Sequence, residues 1–366
     1  MDLESEMDTY HPRMRAVNQR TLAEKLNLSL ATVSRSLANH PSIKAETRER
    51  VQAFAAKLGY RTTPSRNIRH GRLRKSVTIG VIVGVVSKEP GTATFPFILK
   101  GIQERAAIDR VSVEVCYQDP RDFAPDTRGN PILRHIRDGD WRGAVLIYPF
   151  APEAVEAISR KISTVAVLED YVDQGADSID TDHSAAILKL VDKLYAAGHR
   201  NIGFAAWHYP VGGHWTTRRF AAYVEGLYSH GLELRNDWAF NVNKLRRPLS
   251  PSELADQVAR KVREEGVTGW VCAADHQAYP LIQDLAARGI RVPEDCSVTG
   301  FDGISPPNGM KPIATVLVPH EEVGAAAVTR VLNQVRHPHT PRGKILVQGQ
   351  LIDGTSVSVA RPYTAQ

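Results

Sequence analysis

Only three cysteines occur in 366 residues, Cys116, Cys272 and Cys296, and they lie far apart. An odd, scattered set excludes a disulfide framework and suits a reducing compartment. No run of about 18 apolar residues is present, so no membrane-spanning helix and no membrane partner are expected. The opening MDLESEMDTYHPRMR has no apolar core of a secretory signal, and a cytoplasmic location is expected. Catalytic signatures are missing too. There is no G-x-x-x-x-G-K-S/T, no G-x-G-x-x-G after a strand, no G-x-S-x-G and no H-E-x-x-H. The 13 histidines show no metal spacing beyond His337 and His339, which flank a proline in an expected loop. The sequence therefore points to no enzyme, no cofactor and no metal.

What is present is charge, unevenly placed. Residues 1–75 hold 15 Lys/Arg against 7 Asp/Glu, whereas 76–366 hold 31 against 33. The whole basic excess behind the net +6 thus sits in the first fifth of the chain. Segregation this sharp suits a phosphate-binding module joined to a near-neutral body.

The stretch Ser29–Asn39, SLATVSRSLAN, organises that basic head. At 3.6 residues per turn Leu30, Val33 and Leu37 share one face, and Ser29 is a good N-cap. A first helix over Gln19–Leu26, capped by Asn18, precedes it with only Asn27 and Leu28 between the helix and the Ser29 cap. Two helices joined so tightly form a helix-turn-helix, whose second helix can enter a DNA major groove. The spacing predicts that helix over Leu30–Ala38; it carries no carboxylate to repel phosphate. The candidate DNA contacts here are Ser29, Leu30, Ala31, Thr32, Ser34, Arg35 and Asn39. A third helix is expected over Ala45–Leu58, ended by Gly59. The head then divides into a tail (1–15), a helix-turn-helix domain (16–60) and a linker (61–75). RTTPSRNIRHGRLRK has six Lys/Arg and no acid, with Arg66 and Arg69 as candidate DNA contacts.

At Val77 the pattern changes. VTIGVIVGVV reads as a buried parallel strand. Short strands then alternate with helices: strands at Ser112–Cys116, Ala144–Tyr148, Ser163–Leu168, Asn201–Ala205, Gly269–Ala273 and Ser297–Phe301, and a closing pair within Lys344–Leu351 and Ser356–Val359. This alternation predicts an α/β body of two doubly wound parallel sheets. Such sheets bind small molecules beyond the carboxyl ends of their strands. There the sequence places Phe97, Trp207, Tyr209, Trp215, Arg219, Asp275, His276 and Asp302. Taken singly, each aromatic is ordinary core and each aspartate a helix N-cap. Jointly, at consecutive strand ends, they outline a cleft in which aromatics can cover a sugar ring and Arg219 can pair with hydroxyls or a carboxylate.

TLAEKLNLSLATVSRSLAN, KAETRERVQAFAAKLGY, AAGHRNIGF, RRFAAYVEGL, RGIRVPEDCSVTGFDGI and HEEVGAAAV together resemble the lactose/galactose repressor family over nearly the whole chain. The resemblance implies a homodimer on a pseudo-palindromic operator in double-stranded DNA, with Leu30, Ala31 and Arg35 facing bases. It also implies two subdomains like periplasmic sugar-binding proteins, linked by three crossovers and closing on a small effector, with Arg219 and Asp302 at effector-contacting positions. The expected segments are about 76–196 with 318–343, and about 197–317 with 344–360. Some positions depart from the family. Ala274 stands where asparagine is common. Val318 and His320 occupy the third crossover, where glutamine is common at the first position; His320 is taken as an effector contact. Gly71 falls near the leucine that wedges the minor groove. The expected function is a transcription regulator, most simply a repressor, answering to a sugar or sugar derivative. A solute-binding protein without a DNA role and an enzyme on the same scaffold are the alternatives.

Overall fold

The computed structural model describes residues 19–37, 43–57, 77–85, 94–123, 130–208, 214–242 and 247–361. The tail, the linker and the expectations placed on Asn18, Ala38, Asn39, Leu58, Gly59, Arg66, Arg69, Gly71 and Tyr209 lie outside them. The chain divides into two compact units, Met1–Lys75 and Ser76–Gln366.

The first unit holds α1 (Gln19–Leu26), α2 (Leu30–Leu37) and α3 (Ala45–Lys57). Asn27 ends α1 in the left-handed region (φ 53°). There the Leu28 amide donates to Ala23 O (3.0 Å) and that of Asn27 to Glu24 O (3.3 Å). This Schellman-type stop turns the chain within two residues into the next helix. Leu22, Ala23, Val33, Val51 and Ala55 form the core, with Leu26, Leu28, Leu37 and Phe54 packed on it. Two long side chains of α3 tie the helices together. Arg50 donates to Leu26 O (3.0 Å) and Gln52 to Ser36 O (3.1 Å). One expectation is corrected here. The face built on Leu30, Val33 and Leu37 is rotated, so that Ser36 is buried and Leu30 is 49% exposed.

The second unit has two parallel sheets. The first is six-stranded in the order β11-β5-β4-β3-β1-β2. Its strands are β1 (Thr78–Gly84), β2 (Ser112–Gln118), β3 (Gly143–Ile147), β4 (Ser163–Val167), β5 (Asp177–Thr181) and β11 (Lys344–Val347). The second, in the order β7-β6-β8-β9, has β6 (Ile202–Ala205), β7 (Ala239–Phe240), β8 (Gly269–Cys272) and β9 (Ser297–Thr299). An antiparallel pair, β10 (Thr315–Leu317) with β12 (Gln350–Ile352), stands beside them. The covering helices are α4 (Phe95–Asp109), α5 (Pro131–Arg137), α6 (Pro152–Ser159), α7 (His183–Ala196), α8 (Trp215–Ser229), α9 (Pro251–Glu265), α10 (Asp275–Ala287) and α11 (His320–Arg336).

The chain crosses between the subdomains three times, before α7, before α11 and after β11, and two expected segments move. α7 belongs to the second subdomain, because Ile187, Leu190, Val191 and Leu194 pack with Phe204, Tyr223 and Leu227. β11 belongs to the first, running parallel to β5. The reason is Asp177, a fully buried carboxylate at the start of β5. It accepts from Arg330 Nε (2.9 Å), Gln334 Nε2 (2.6 Å) and the Gly343 amide (2.7 Å), which sets the entry to β11. The segment expected as a last strand, Ser356–Val359, is not one. It is held instead by Ser356 O, which accepts from the Val298 amide (3.0 Å), and by the Ser358 amide, which donates to Ser297 Oγ (3.0 Å).

Helices α4 and α11 cross with backbone against backbone. A methyl group on Gly324 would overlap the Ile98 carbonyl, and one on Gly101 the Glu321 carbonyl. Gly324→Ala should therefore lower stability by about 1–3 kcal/mol, since overpacking here meets rigid backbone. Urea unfolding would show this as a lower midpoint at unchanged slope.

Candidate functional site

In the first unit the candidate interface is the N-terminal face of α2. Ser29 Oγ accepts from the Thr32 amide (3.0 Å) and lies 2.8 Å from Thr32 Oγ1, so the first turn is capped. Ser29, Leu30, Ala31 and Arg35 are exposed, and Thr32 and Ser34 are half-buried. A capped helix that buries Val33 and presents small side chains, one leucine and one guanidinium has the size and charge to lie in a major groove.

In the second unit Arg219 is the centre. It projects from α8 and is buried, and three groups accept from it. These are His183 Nδ1 (3.2 Å), Ala273 O (2.5 Å) and Asp302 Oδ1 (3.2 Å). Its guanidinium lies 3.6 Å over the Phe301 ring and 4.6 Å over that of Trp215. Three of its five N–H donors are thus used within the chain. Burial pushes the Asp302 carboxyl up to about 7, against the pull of Arg219. Asp302 follows β9 with φ 114°, a backbone conformation a non-glycine residue holds only when its surroundings enforce it. Here its amide donates to Val316 O (3.0 Å) and its carbonyl accepts from the Val318 amide (3.2 Å).

His183 links this group to the first sheet. Because its Nδ1 accepts from Arg219, its proton sits on Nε2, 3.3 Å from Asp180 Oδ1 but out of hydrogen-bonding line. Asp180 also takes Arg218 Nη1 (2.7 Å), and Arg218 reaches on to Asp170 (3.3 Å). Nearby, burial and then the charge of Asp180 raise the carboxyl of Glu169 to about 7.

The sequence-predicted residues fare differently. Arg219, Asp302 and Trp215 are brought together. Trp207 lies half-buried at the end of β6, its ring edge-on to His276 (5.7 Å, 81°). His320 opens α11 and, like His276, is pushed down to about 4 by burial and by the charge of Arg219. Phe97 stands 55% exposed on α4. Its neighbour Phe95 instead packs edge-on to Tyr148 (6.2 Å, 88°), whose hydroxyl lies 2.8 Å from Thr94 Oγ1. Asp275 is fully buried, and its carboxylate is taken up by three donors: the Gly303 amide (2.7 Å), the Ile304 amide (2.9 Å) and Thr315 Oγ1 (2.6 Å). It therefore holds the loop that carries Asp302, which corrects its expected place as an effector contact. His183, Asp180 and Phe301 were missed. The first two lie in IDTDHS, at a strand end that shows no apolar run.

Comparison with known proteins gives the same two parts. Residues 21–69 match "Bacterial regulatory proteins, lacI family", and residues 191–357 match "Periplasmic binding protein-like domain". The HTH-type transcriptional repressor CytR of Escherichia coli is 27% identical, over 92% of this chain and 95% of its own. The lac repressor dimer bound to operator and the anti-inducer ONPF has a similar fold (TM-score 0.62, 20% identity, 94% of this chain, 100% of that one). So does the transcriptional regulator CelR in complex with cellobiose (TM-score 0.59, 18% identity, 93% and 99%).

Proposed function

The chain belongs to the lacI family of bacterial regulatory proteins, and from this we propose that it is a sequence-specific transcription repressor whose operator affinity is set by a small sugar or sugar derivative. The observation that carries this is the pairing, in one chain, of a capped and exposed α2 without a carboxylate and a buried Arg219–Asp302 pair at the strand ends of a two-sheet body. The first reads DNA; the second senses the ligand. The protein works in the cytoplasm as a homodimer on a pseudo-palindromic operator. Ser29, Leu30, Ala31, Thr32, Ser34, Arg35 and Asn39 meet the major groove, and Arg66 and Arg69 meet phosphates. Among the described residues no helix is long and apolar enough to cross a membrane. The effector site comprises Arg219, Asp302, Trp215, Trp207 and His320, with Phe97 at its edge.

Arg35 tests the DNA half. Its side chain is exposed on α2 and can pair with guanine O6 and N7. Arg35→Ala should weaken cognate binding by about 1–3 kcal/mol and relax preference at one base pair per half-site. Anisotropy titrations against cognate and scrambled duplexes decide it. Equal weakening on both would make Arg35 a phosphate contact and overturn its role in base reading.

A further inference from the structure

The carboxyl edge of the second sheet extends beyond the Arg219 group. Along that edge, in the order β9, β8, β6 and β7, the chain presents Asp302, then Ala273, whose carbonyl accepts from Arg219, then Trp207, then Asn241. The parallel register Ala205↔Cys272 sets Trp207 abreast of Ala274, one strand across and one residue beyond Ala273. Neighbouring strands lie about 4.8 Å apart, so Trp207 stands within reach of a second ring linked to one held at Arg219. Past Trp207 is a cavity of about 320 Å³, lined by Trp207, His208, Arg247, Pro248, Pro251 and Glu253 among others. That volume falls within the range of small-molecule pockets.

Its walls are fixed by the chain itself. Asn241 follows β7 in the left-handed region (φ 59°). Its Nδ2 donates to Ala206 O (2.9 Å) and Leu249 O (3.1 Å), and its Oδ1 accepts from the Leu249 amide (2.8 Å). One side chain thus pins residues 247–251 to the end of β6. Trp207 and Leu249 both pack on the core of the second subdomain, and the Trp207 amide donates to Gln277 Oε1 (3.1 Å). On the rim Arg247 donates twice to Glu253 (2.7 and 3.3 Å), which also accepts from the Ser250 amide (2.8 Å). The indole and two prolines form an apolar platform, and the ion pair offers a donor and an acceptor beside it. The two rim charges cancel, which suits a neutral ring with C–H groups on one face and hydroxyls around its edge.

We propose that this cavity is a second sugar subsite and that the effector is a neutral disaccharide or longer glycoside. One ring sits at Arg219 and Asp302, and the next lies against Trp207, Pro248 and Pro251 with its hydroxyls on Arg247 and Glu253. This rests on the reading of the cleft as the effector site.

The test is isothermal titration of the full chain with D-glucose, D-galactose and D-xylose, and with maltose, cellobiose, lactose and xylobiose, which are built from them. One of the disaccharides should bind at least about tenfold more tightly than either of its component sugars. Arg247→Ala combined with Glu253→Gln should narrow that ratio to about threefold or less. Both side chains reach the surface, and glutamine at position 253 keeps the hydrogen bond to the Ser250 amide, so the helix start survives. Arg247→Ala alone should narrow the same ratio if the double variant does not fold. Disaccharides that bind no more tightly than their components overturn the proposal but leave the sugar-effector reading standing. A gain that the rim variants leave intact puts the second ring elsewhere and overturns it as well. If none of the seven sugars binds and operator affinity answers to none, the sugar-effector reading falls, and the proposal with it.

Discussion

Arg219→Ala is expected to yield a folded but weakened body whose operator affinity no longer responds to sugar. The wild-type side chain satisfies three acceptors in one buried place, and its loss leaves Ala273 O and His183 Nδ1 unpaired. Each such orphan typically costs about 1–3 kcal/mol. Asp302 softens the loss. Burial already pushes its carboxyl up to about 7 against the pull of Arg219, so removal of the guanidinium moves it higher still, and at pH 7 the group becomes neutral and avoids burying a lone charge. A net loss of about 3 kcal/mol follows, measurable by urea unfolding. The functional loss is larger in kind. A ligand shifts an equilibrium only by its differential affinity for the two states, and the guanidinium contact to that ligand is lost with the side chain. Arg219→Lys should not rescue, because an ammonium cannot serve three fixed directions and stack between Phe301 and Trp215. If the sugar is an inducer, the variant binds operator and stays bound; if a corepressor, it never binds tightly. A folded Arg219→Ala protein that answers to wild-type sugar concentrations in an anisotropy titration would sink the assignment.

Asp275→Ala should be among the most destabilising single changes in the body, by about 3–6 kcal/mol, because three donors lose their acceptor at a site closed to water. Asp275→Asn separates shape from charge. Its amide oxygen can keep the Gly303 and Ile304 amides, and its NH2 can donate to the Thr315 hydroxyl, which turns to accept. Asparagine should therefore recover most of the loss in a denaturant melt. Burial raises the Asp275 carboxyl above the ordinary range in spite of those three donors, so a neutral amide also removes the cost of a buried charge. The opposite pattern, an Asp275→Ala protein as stable as wild type but deficient in sugar binding, would restore Asp275 as a ligand contact.

The elements legible in the chain are those whose cause is local. The β-branched run at β1 lies where expected, and so do α1, the Ser29 cap and the start of α2, because a period of apolar side chains or a cap depends on residues a few positions apart. β5 was invisible because DSIDT buries two aspartates, and its burial depends on Arg330, Gln334 and Gly343, more than 150 residues later. The same distance hid the place of Lys344–Val347. Its apolar pattern marks a strand, but partners far back in the chain, Asp177 and the backbone of β5, decide which sheet it joins.

By itself, the sequence determined that a basic helical head precedes a near-neutral α/β body, that α2 offers no carboxylate to DNA, and that arginine, aspartate and aromatics lie at strand ends. Charge, caps and periodicity are properties of neighbouring residues and survive without a fold. Only the tertiary structure decided what those strand-end residues do. Arg219 meets partners 36, 54 and 83 positions away in His183, Ala273 and Asp302, and Asp275 is spent on a loop 28 positions distant. A buried polar group takes whichever donors and acceptors the packed chain brings to it, because leaving it unpaired is costly. Two aspartates at neighbouring strand ends thus part ways, Asp275 as a brace and Asp302 as the partner of Arg219, and nothing within a few residues of either distinguishes them.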